Sequence, residues 1–450
     1  CLLASDFPSE NPRTQTRNFP YTITLVTTNR RNMKNTFTLL IIALMAIGCD
    51  QSNKSDSELS NDNQITIGHI DSLKSDILGE TRKIWVHLPK NYREGKKYPV
   101  LYVLDGNGHF HSVTGLIKQL STNGTYVLPE MIVIAIPNTN RSRDLIPTHA
   151  DVDYRTGNKL QYDSGGGSSF LDFIEEELIP YVDRTYPTTS FRTYVGHSFG
   201  GLSVIHALTT RSHLFNNYLA IDPSFWWDNM AYLETVDSLL SVHDYTNKGL
   251  FVGMANTMIG GQNYSTVEED TLGTSVHIRS ILKFAKSLEK KDNGLNFEWK
   301  YYPQESHFSV PLITEYDGLR FLFDWYDFKA RYELLYTESL STDEYLEMVK
   351  SHSEQVSQKM GYENKPEESL INRLGFRYLR DKKFDQAAAL FDLNIANFPN
   401  SDNVYDSRGD CYLAAGDSLK ALEFFRKALE TGDNDYSQEK IDRISKALKK

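Results

Sequence analysis

The 450-residue sequence predicts an α/β protein, a doubly wound and mostly parallel sheet followed by an all-helical C-terminal region. Three observations predict it. Near-continuous apolar runs such as Tyr98-Pro99-Val100-Leu101-Tyr102-Val103-Leu104 and Met131-Ile132-Val133-Ile134-Ala135-Ile136 have the composition of strands covered on both faces. These runs alternate with segments of helical periodicity, which is the pattern of crossover connections between parallel strands. Beyond about residue 335 the strand-like runs stop, and two segments repeat with a 34-residue offset.

Each element can be justified in turn. Ile65-Thr66-Ile67 and Lys83-Ile84-Trp85-Val86-His87-Leu88 alternate apolar and polar, as a half-buried antiparallel edge does. The two buried strands follow, the first ending at Asp105-Gly106-Asn107-Gly108 and the second at Pro137. Phe170 to Tyr181 has apolar residues at helical spacing with Glu175, Glu176 and Glu177 outside, and Pro180 predicts a stop. Phe191 to Val195 predicts a buried strand and Leu202 to Leu208 a helix. Further strands are expected at Tyr218–Ile221, Leu250–Gly253 and Phe297–Tyr302, and Asp317 to Phe328 is expected to close the domain as a helix.

Size and composition narrow the function. Hydrophobic residues make up 40% of the chain and aromatics 12%, enough for a substantial core. A net charge of −11 argues against nucleic-acid binding, which needs a basic face. The three cysteines, Cys1, Cys49 and Cys411, have no common spacing and do not make a disulfide framework.

The N-terminus reads as an address. Met33 and Lys34 open a short basic region, Phe37 to Ile47 is apolar but too short to span a bilayer, and Gly48-Cys49 follows. Ala46 and Gly48 ahead of Cys49 resemble the lipobox of bacterial lipoproteins, which implies lipidation of Cys49 and anchoring to a membrane by lipid alone. The expected organisation is an upstream extension over 1–32, a lipoprotein signal over 33–49 and a polar tether over 50–64. A catalytic domain over 65–334, a helical linker over 335–366 and helical repeats with a capping helix over 367–450 complete it.

The chemistry centres on Gly196-His197-Ser198-Phe199-Gly200-Gly201, between a predicted strand and a predicted helix. A serine on a sharp strand-to-helix turn has its hydroxyl lifted clear of the sheet, and glycines beside it relieve the close backbone approach. A serine nucleophile needs a base, and His307 follows the last predicted strand, 109 residues after Ser198. An acid is expected after the strand ending near Gly253, but Met254-Ala255-Asn256-Thr257 offers none. Asp270 is the preferred candidate, with Glu268, Glu269 and Glu305 as alternatives. A serine–histidine dyad, or one in which Asn256 orients the ring, stays open. The backbone N–H groups of Phe199 and Asn107 are expected to stabilise an oxyanion. Trp226 and Trp227 are candidates for an aromatic substrate wall. Arg141-Ser142-Arg143-Asp144 suits either an anionic acyl group or an internal salt bridge. His109-Phe110-His111 lacks a third ligand for a metal.

The repeat pairs Gly375 with Gly409, Tyr378 with Tyr412, Ala387 with Ala421 and Phe391 with Phe425. Period and residue types resemble tetratricopeptide repeats. Either a protein-binding groove or a module bracing the catalytic domain would follow.

Residues ~65–330 as a whole resemble the α/β-hydrolase esterase family that includes enterochelin-type siderophore esterases, esterase D-like enzymes and feruloyl and acetyl xylan esterases. The resemblance rests on Tyr98 to Gly106, Asn140 to Asp144, Gly196 to Gly201, Pro223-Ser224-Phe225-Trp226-Trp227 and His307-x-Ser309-Val310-Pro311. It implies Ser198 as nucleophile, His307 as base, no cofactor, and a small-molecule or carbohydrate ester as substrate. The lipobox and repeats together resemble Bacteroidetes-type envelope proteins. An acyltransferase with the same triad, or an inert scaffold binding partners through its repeats, are the alternatives to an esterase.

Overall fold

Strands that are apolar at nearly every position need cover on both faces, and the computed structural model shows how they obtain it. It describes residues 65–448 apart from 90, 91, 93–95, 123–125, 155, 331–340 and 433. The expected extension over 1–32, the signal with Cys49 and the tether over 50–64 lie outside the described residues. β3 (Tyr98–Leu104) and β4 (Ile132–Ile136) are buried throughout. Their alternate side chains enter two different cores: Val100, Tyr102, Ile132 and Ile134 on one face, Leu101, Val103, Val133 and Ala135 on the other.

One eight-stranded sheet carries the domain, in the order β1-β2-β4-β3-β5-β6-β7-β8. The other strands are β1 (His69–Ser75), β2 (Glu80–His87), β5 (Thr188–His197), β6 (Asn217–Ile221), β7 (Gly249–Ala255) and β8 (Asn296–Tyr302). β1 pairs antiparallel with β2, and β2 antiparallel with β4, while every other pairing is parallel. The edge strand begins at His69 rather than at Ile65, because a turn ending at Gly79 (φ +67°) sets the hairpin register from His69↔Val86 onward.

Helices cover both faces. α1 (Gly106–Ser121) and α8 (Val310–Leu322) bury Phe110, Val113, Ile117, Val310 and Leu319 against one side. On the other side lie α3 (Gly167–Phe173) and α4 (Ile179–Thr185), then α5 (Phe199–Thr210), α6 (Ala231–Val242) and α7 (Val276–Leu288). The short α2 (Arg141–Leu145) follows β4. Two expected boundaries shift. Pro180 does not stop its helix: a π-helical turn at Ile174–Leu178, closed by Ile179 N–H on the Ile174 carbonyl, widens the spiral where proline has no N–H, and α4 continues to Thr185. The closing helix starts at Val310 rather than Asp317, since Pro311 in the first turn has no hydrogen bond to lose there.

The C-terminal region comprises α9 (Thr342–Met360), α10 (Glu368–Arg380), α11 (Phe384–Asn397), α12 (Asp402–Ala414), α13 (Ser418–Thr431) and α14 (Asp435–Leu448). The sequence repeat has a packing cause. A β-carbon on Gly375 would lie 2.5 Å from the Phe391 ring, and one on Gly409 would lie 2.6 Å from the Phe425 ring. Each helix pair therefore closes by seating a phenylalanine against a glycine on the preceding helix. Cys411 is buried between these helices. From Thr66 onward the described residues form one unit. Val356 and Met360 of α9 enter the same core as Phe191 and Phe323 of the sheet domain. No helix among the described residues is long and apolar enough to cross a membrane.

Candidate active site

Parallel strands deliver their following loops to one edge of the sheet, where chemistry in such folds collects. Here the loops after β3, β5, β6 and β8 carry Asp105, Ser198, Asp222 and His307. Ser198 has φ +60°, outside the regions a non-glycine residue readily adopts, and heads α5. The turn is tight enough that a β-carbon on Gly196 would overlap the Gly200 carbonyl. The strain is held by bonds on both sides of the serine: its N–H donates to the Ile221 carbonyl at 2.9 Å, and its carbonyl accepts from Leu202 and Ser224 N–H at 3.0 and 3.1 Å.

Ser198 Oγ lies 3.1 Å from His307 Nε2 and 3.0 Å from the buried Ser224 Oγ. The two residues selected from sequence are thus within hydrogen-bond reach. On the far side of the ring, His307 Nδ1 lies 2.6 Å from Asp222 Oδ2. An ionised carboxylate only accepts, so Nδ1 carries the proton and Nε2 turns its lone pair toward the serine.

Asp270 is not the ring's partner, which corrects the expectation from sequence. It accepts from Leu272 N–H at 2.8 Å and from Gln262 Nε2 at 2.8 Å within its own loop. The alternatives are not the partner either: Glu268 pairs with Lys286, Glu269 lies exposed in the same loop, and His307 Nδ1 bonds to Asp222 rather than to Glu305. Asn256 donates its side chain to the Pro303 carbonyl at 3.1 Å. The reason is strand order. β6 lies directly beside β5, so the acid leaves the sheet next to the nucleophile, while the end of β7 supplies an amide instead: Ala255 N–H donates to Asp222 Oδ1 at 2.9 Å. The missed signal was an acid directly after a buried strand, Ile221-Asp222, the same signal that marked Ser198.

Asp222 is 0% exposed, and its two oxygens accept three hydrogen bonds from the protein. Oδ2 also accepts from His277 Nε2, at 2.8 Å, and no local pattern in the sequence marked His277. Burial alone would raise the Asp222 carboxyl, but the His277 and His307 imidazoles outweigh it and hold the group well below the usual carboxylate range. Asp222 Oδ2, His277 Nε2 and His307 Nδ1 lie within 4.8 Å of one another, a donor set a zinc ion could use. Their separations of 2.6 and 2.8 Å are those of hydrogen bonds. Tetrahedral ligands at about 2.0–2.2 Å from a metal stand roughly 3.3 Å apart.

The His197 ring lies beside His307, with centroids 4.5 Å apart and planes tilted by 40°. Burial, reinforced by the charges of His307 and His109, pushes the His197 imidazole down to about 4, so it stays neutral at pH 7. Its Nε2 is buried with no hydrogen-bond partner among the described residues. His109 faces Glu315 of α8, Nδ1 to Oε1 at 2.8 Å.

Phe199 is the first residue of α5, where amides have no acceptor one turn back in the helix. Asn107 is exposed in the first turn of α1. Trp227 is 3% exposed and donates its Nε1–H to Thr148 Oγ1 at 3.1 Å, which makes it a core residue, while the half-buried Trp226 stands 5.8 Å from the Phe199 ring. Arg141 resolves as a salt bridge. Its Nε and Nη2 clamp the Asp105 oxygens at 2.6 and 2.9 Å, and Nη2 also reaches the His197 carbonyl at 3.1 Å. The segment bearing Arg141 is tied to the antiparallel edge by Arg82, 1% exposed, which donates to Asp144 at 2.6 Å.

Comparison with known proteins agrees with this fold. The Esterase family model matches residues 75–262. A solved IroE-like serine hydrolase from Shewanella oneidensis is 34% identical, with a TM-score of 0.60 over 73% of this chain and 98% of that one. Ferri-bacillibactin esterase BesA of Bacillus subtilis is 28% identical over 54% of this chain and 84% of its own length. A siderophore enterobactin esterase of Emericella nidulans is 35% identical, with 33% of this chain covering 53% of that enzyme. Identity at this level along almost the whole of a serine hydrolase, on a shared doubly wound sheet, shows that the chain belongs to the Esterase family of α/β-hydrolase fold and is an esterase.

Proposed function

We propose that the chain hydrolyses carboxylic esters through an acyl-enzyme on Ser198. The observation that carries this reading is the unbroken line from Ser198 Oγ to His307 Nε2 at 3.1 Å and from His307 Nδ1 to Asp222 Oδ2 at 2.6 Å. Ser198 Oγ attacks the ester carbonyl as His307 Nε2 takes its proton, and Asp222 stabilises the imidazolium that forms. The oxyanion is met by the Phe199 N–H, with Asn107 N–H as second donor, each worth about 2.7–4 kcal/mol when well placed. His307 returns the proton to the leaving alcohol, and water, activated by the same imidazole, releases the acid. No step requires a cofactor.

The relatives support a substrate class. One is named as a siderophore enterobactin esterase and another as a ferri-bacillibactin esterase, which supports a siderophore-type ester as substrate. The half-buried Trp226 ring beside Phe199 suits an aromatic acyl group. We assign the C-terminal helices to the tetratricopeptide class, bracing the hydrolase domain. The support is the seating of Val356 and Met360 in the domain's own core and the repeated glycine–phenylalanine packing. The lipobox-like sequence at Cys49 supports an envelope lipoprotein.

A fluorophosphonate probe tests the mechanism. Folded wild type is expected to be labelled and Ser198→Ala to be unlabelled, and an unlabelled wild type would refute the proposal. A panel of p-nitrophenyl, feruloyl and catecholate esters then tests the acyl class, with preference for the catecholate ester expected. Metabolic labelling with palmitate, lost in Cys49→Ser, tests the anchor.

A further inference from the structure

We infer that His277 is a positioning residue for the catalytic imidazole, acting through Asp222; this rests on the reading of Ser198 and His307 as nucleophile and base. His277 is the second residue of α7, far in sequence from both. Its Nε2–H donates to Asp222 Oδ2 at 2.8 Å, the same oxygen that receives His307 Nδ1–H at 2.6 Å. The two rings meet edge to face, with centroids 5.2 Å apart and planes at 90°. The His307 ring therefore contacts two other imidazoles, His277 and, with centroids 4.5 Å apart, His197.

Two physical consequences follow. A carboxylate at 0% exposure has no water to solvate it, so its charge persists only if protein donors supply what water would. Asp222 has three such donors: Ala255 N–H on Oδ1, and His277 and His307 on Oδ2. Without His277 one buried lone pair is orphaned, and the anionic form that steadies the imidazolium is weakened. The second consequence is geometric. Ala255 fixes one carboxylate oxygen and His277 fixes the other, so the carboxylate cannot rotate, and His307 docks on an acceptor already held in place.

The test uses the full chain with p-nitrophenyl acetate as probe substrate. His277→Phe keeps an aromatic ring but removes the donor, and His277→Gln restores an N–H at similar reach. The expected result for His277→Phe is a kcat lower by roughly ten- to a hundredfold, the rate equivalent of one orphaned buried polar group, at little-changed KM. His277→Gln is expected to recover most of that loss. The downfield proton resonance of His307 Nδ1–H is expected to move in His277→Phe and to return toward its wild-type position in His277→Gln. Wild-type kcat and an unmoved resonance in folded His277→Phe would overturn the proposal. So would an equal loss in both variants, which marks a packing role alone. Should His277→Phe fail to fold, His277→Gln and His277→Asn decide by the same two readouts. Ser198→Ala run in parallel separates the two readings. If it is inactive while His277→Phe matches wild type, only the positioning role falls; if it stays active, the nucleophile assignment falls, and the positioning role with it.

Discussion

Ser198 and Asp222 leave the sheet side by side. Each is the residue that follows a registered pair on adjacent parallel strands, His197 on β5 and Ile221 on β6. Both also have positive φ, +60° and +43°, which turns each side chain out of its strand direction at the same sheet edge. His307 reaches across from the loop after β8 and bonds to both.

This arrangement predicts that Asp222, and not Asp270, governs turnover. Asp222→Asn should lower kcat about 10⁴-fold, because an amide can present a donor to Nδ1 and favour the wrong imidazole tautomer. Asp270→Asn should leave kcat within about twofold, since its oxygens serve only their own loop. Steady-state hydrolysis of p-nitrophenyl acetate by the two variants checks both expectations.

Arg82 predicts a large stability effect remote from the chemistry. It is 1% exposed and bonded to Asp144, 2% exposed, with Glu80 also in contact. Arg82→Leu strips Asp144 Oδ2 of its buried donor and leaves Arg143 Nε, 2.7 Å from Oδ1, as the guanidinium on that carboxylate, and should cost about 1–3 kcal/mol. The double variant Arg82→Leu with Asp144→Leu should recover a large part of that loss. Urea denaturation of the three proteins measures it.

The helical repeat makes its own prediction. Alanine at Gly375 gains about 1 kcal/mol of helix propensity, but its β-carbon must displace the Phe391 ring from 2.5 Å. Overpacking of that kind costs about 1–3 kcal/mol, so packing wins and the melting temperature of Gly375→Ala should fall. Ester hydrolysis at 25 °C should stay at the wild-type rate. Thermal melts followed by circular dichroism, paired with the ester assay, check the two halves of the prediction.

Acid sensitivity should have a contribution from His206. Its Nδ1 is 2.6 Å from the Tyr232 hydroxyl, and burial, aided by the charge of Arg211, pushes the ring from its ordinary 6.5 down to about 4. As pH falls, the unfolded chain takes up this proton before the folded one does. The stabilisation is therefore complete above about 6.5 and is lost progressively as pH falls toward 4, by up to about 1.4 kcal/mol per pH unit. His206→Gln, which cannot titrate, should show a shallower fall in unfolding free energy between pH 6.5 and 4.5 in denaturant titrations.

What the sequence determined by itself is what depends on near neighbours along the chain. Both buried strands, the strained turn at Ser198, the histidine loop after the last strand and the 34-residue glycine–phenylalanine repeat are each written within a few residues or at a fixed period. Strand alternation and turn sterics act over just that range. What only the tertiary structure decided is which distant groups meet. Asp222 rather than Asp270 faces His307 because β6, not β7, is the strand beside the nucleophile, and sheet order is a property of the whole fold. His277 had no local mark, because a histidine near the start of a helix acquires meaning only from the carboxylate that another strand brings to it. Trp226 and Trp227, adjacent and alike in sequence, both lie beside Phe199 but separated by burial into a half-buried ring and a core residue tied to Thr148. Pairing energies between residues far apart in the chain depend on contacts that form only when the sheet is assembled.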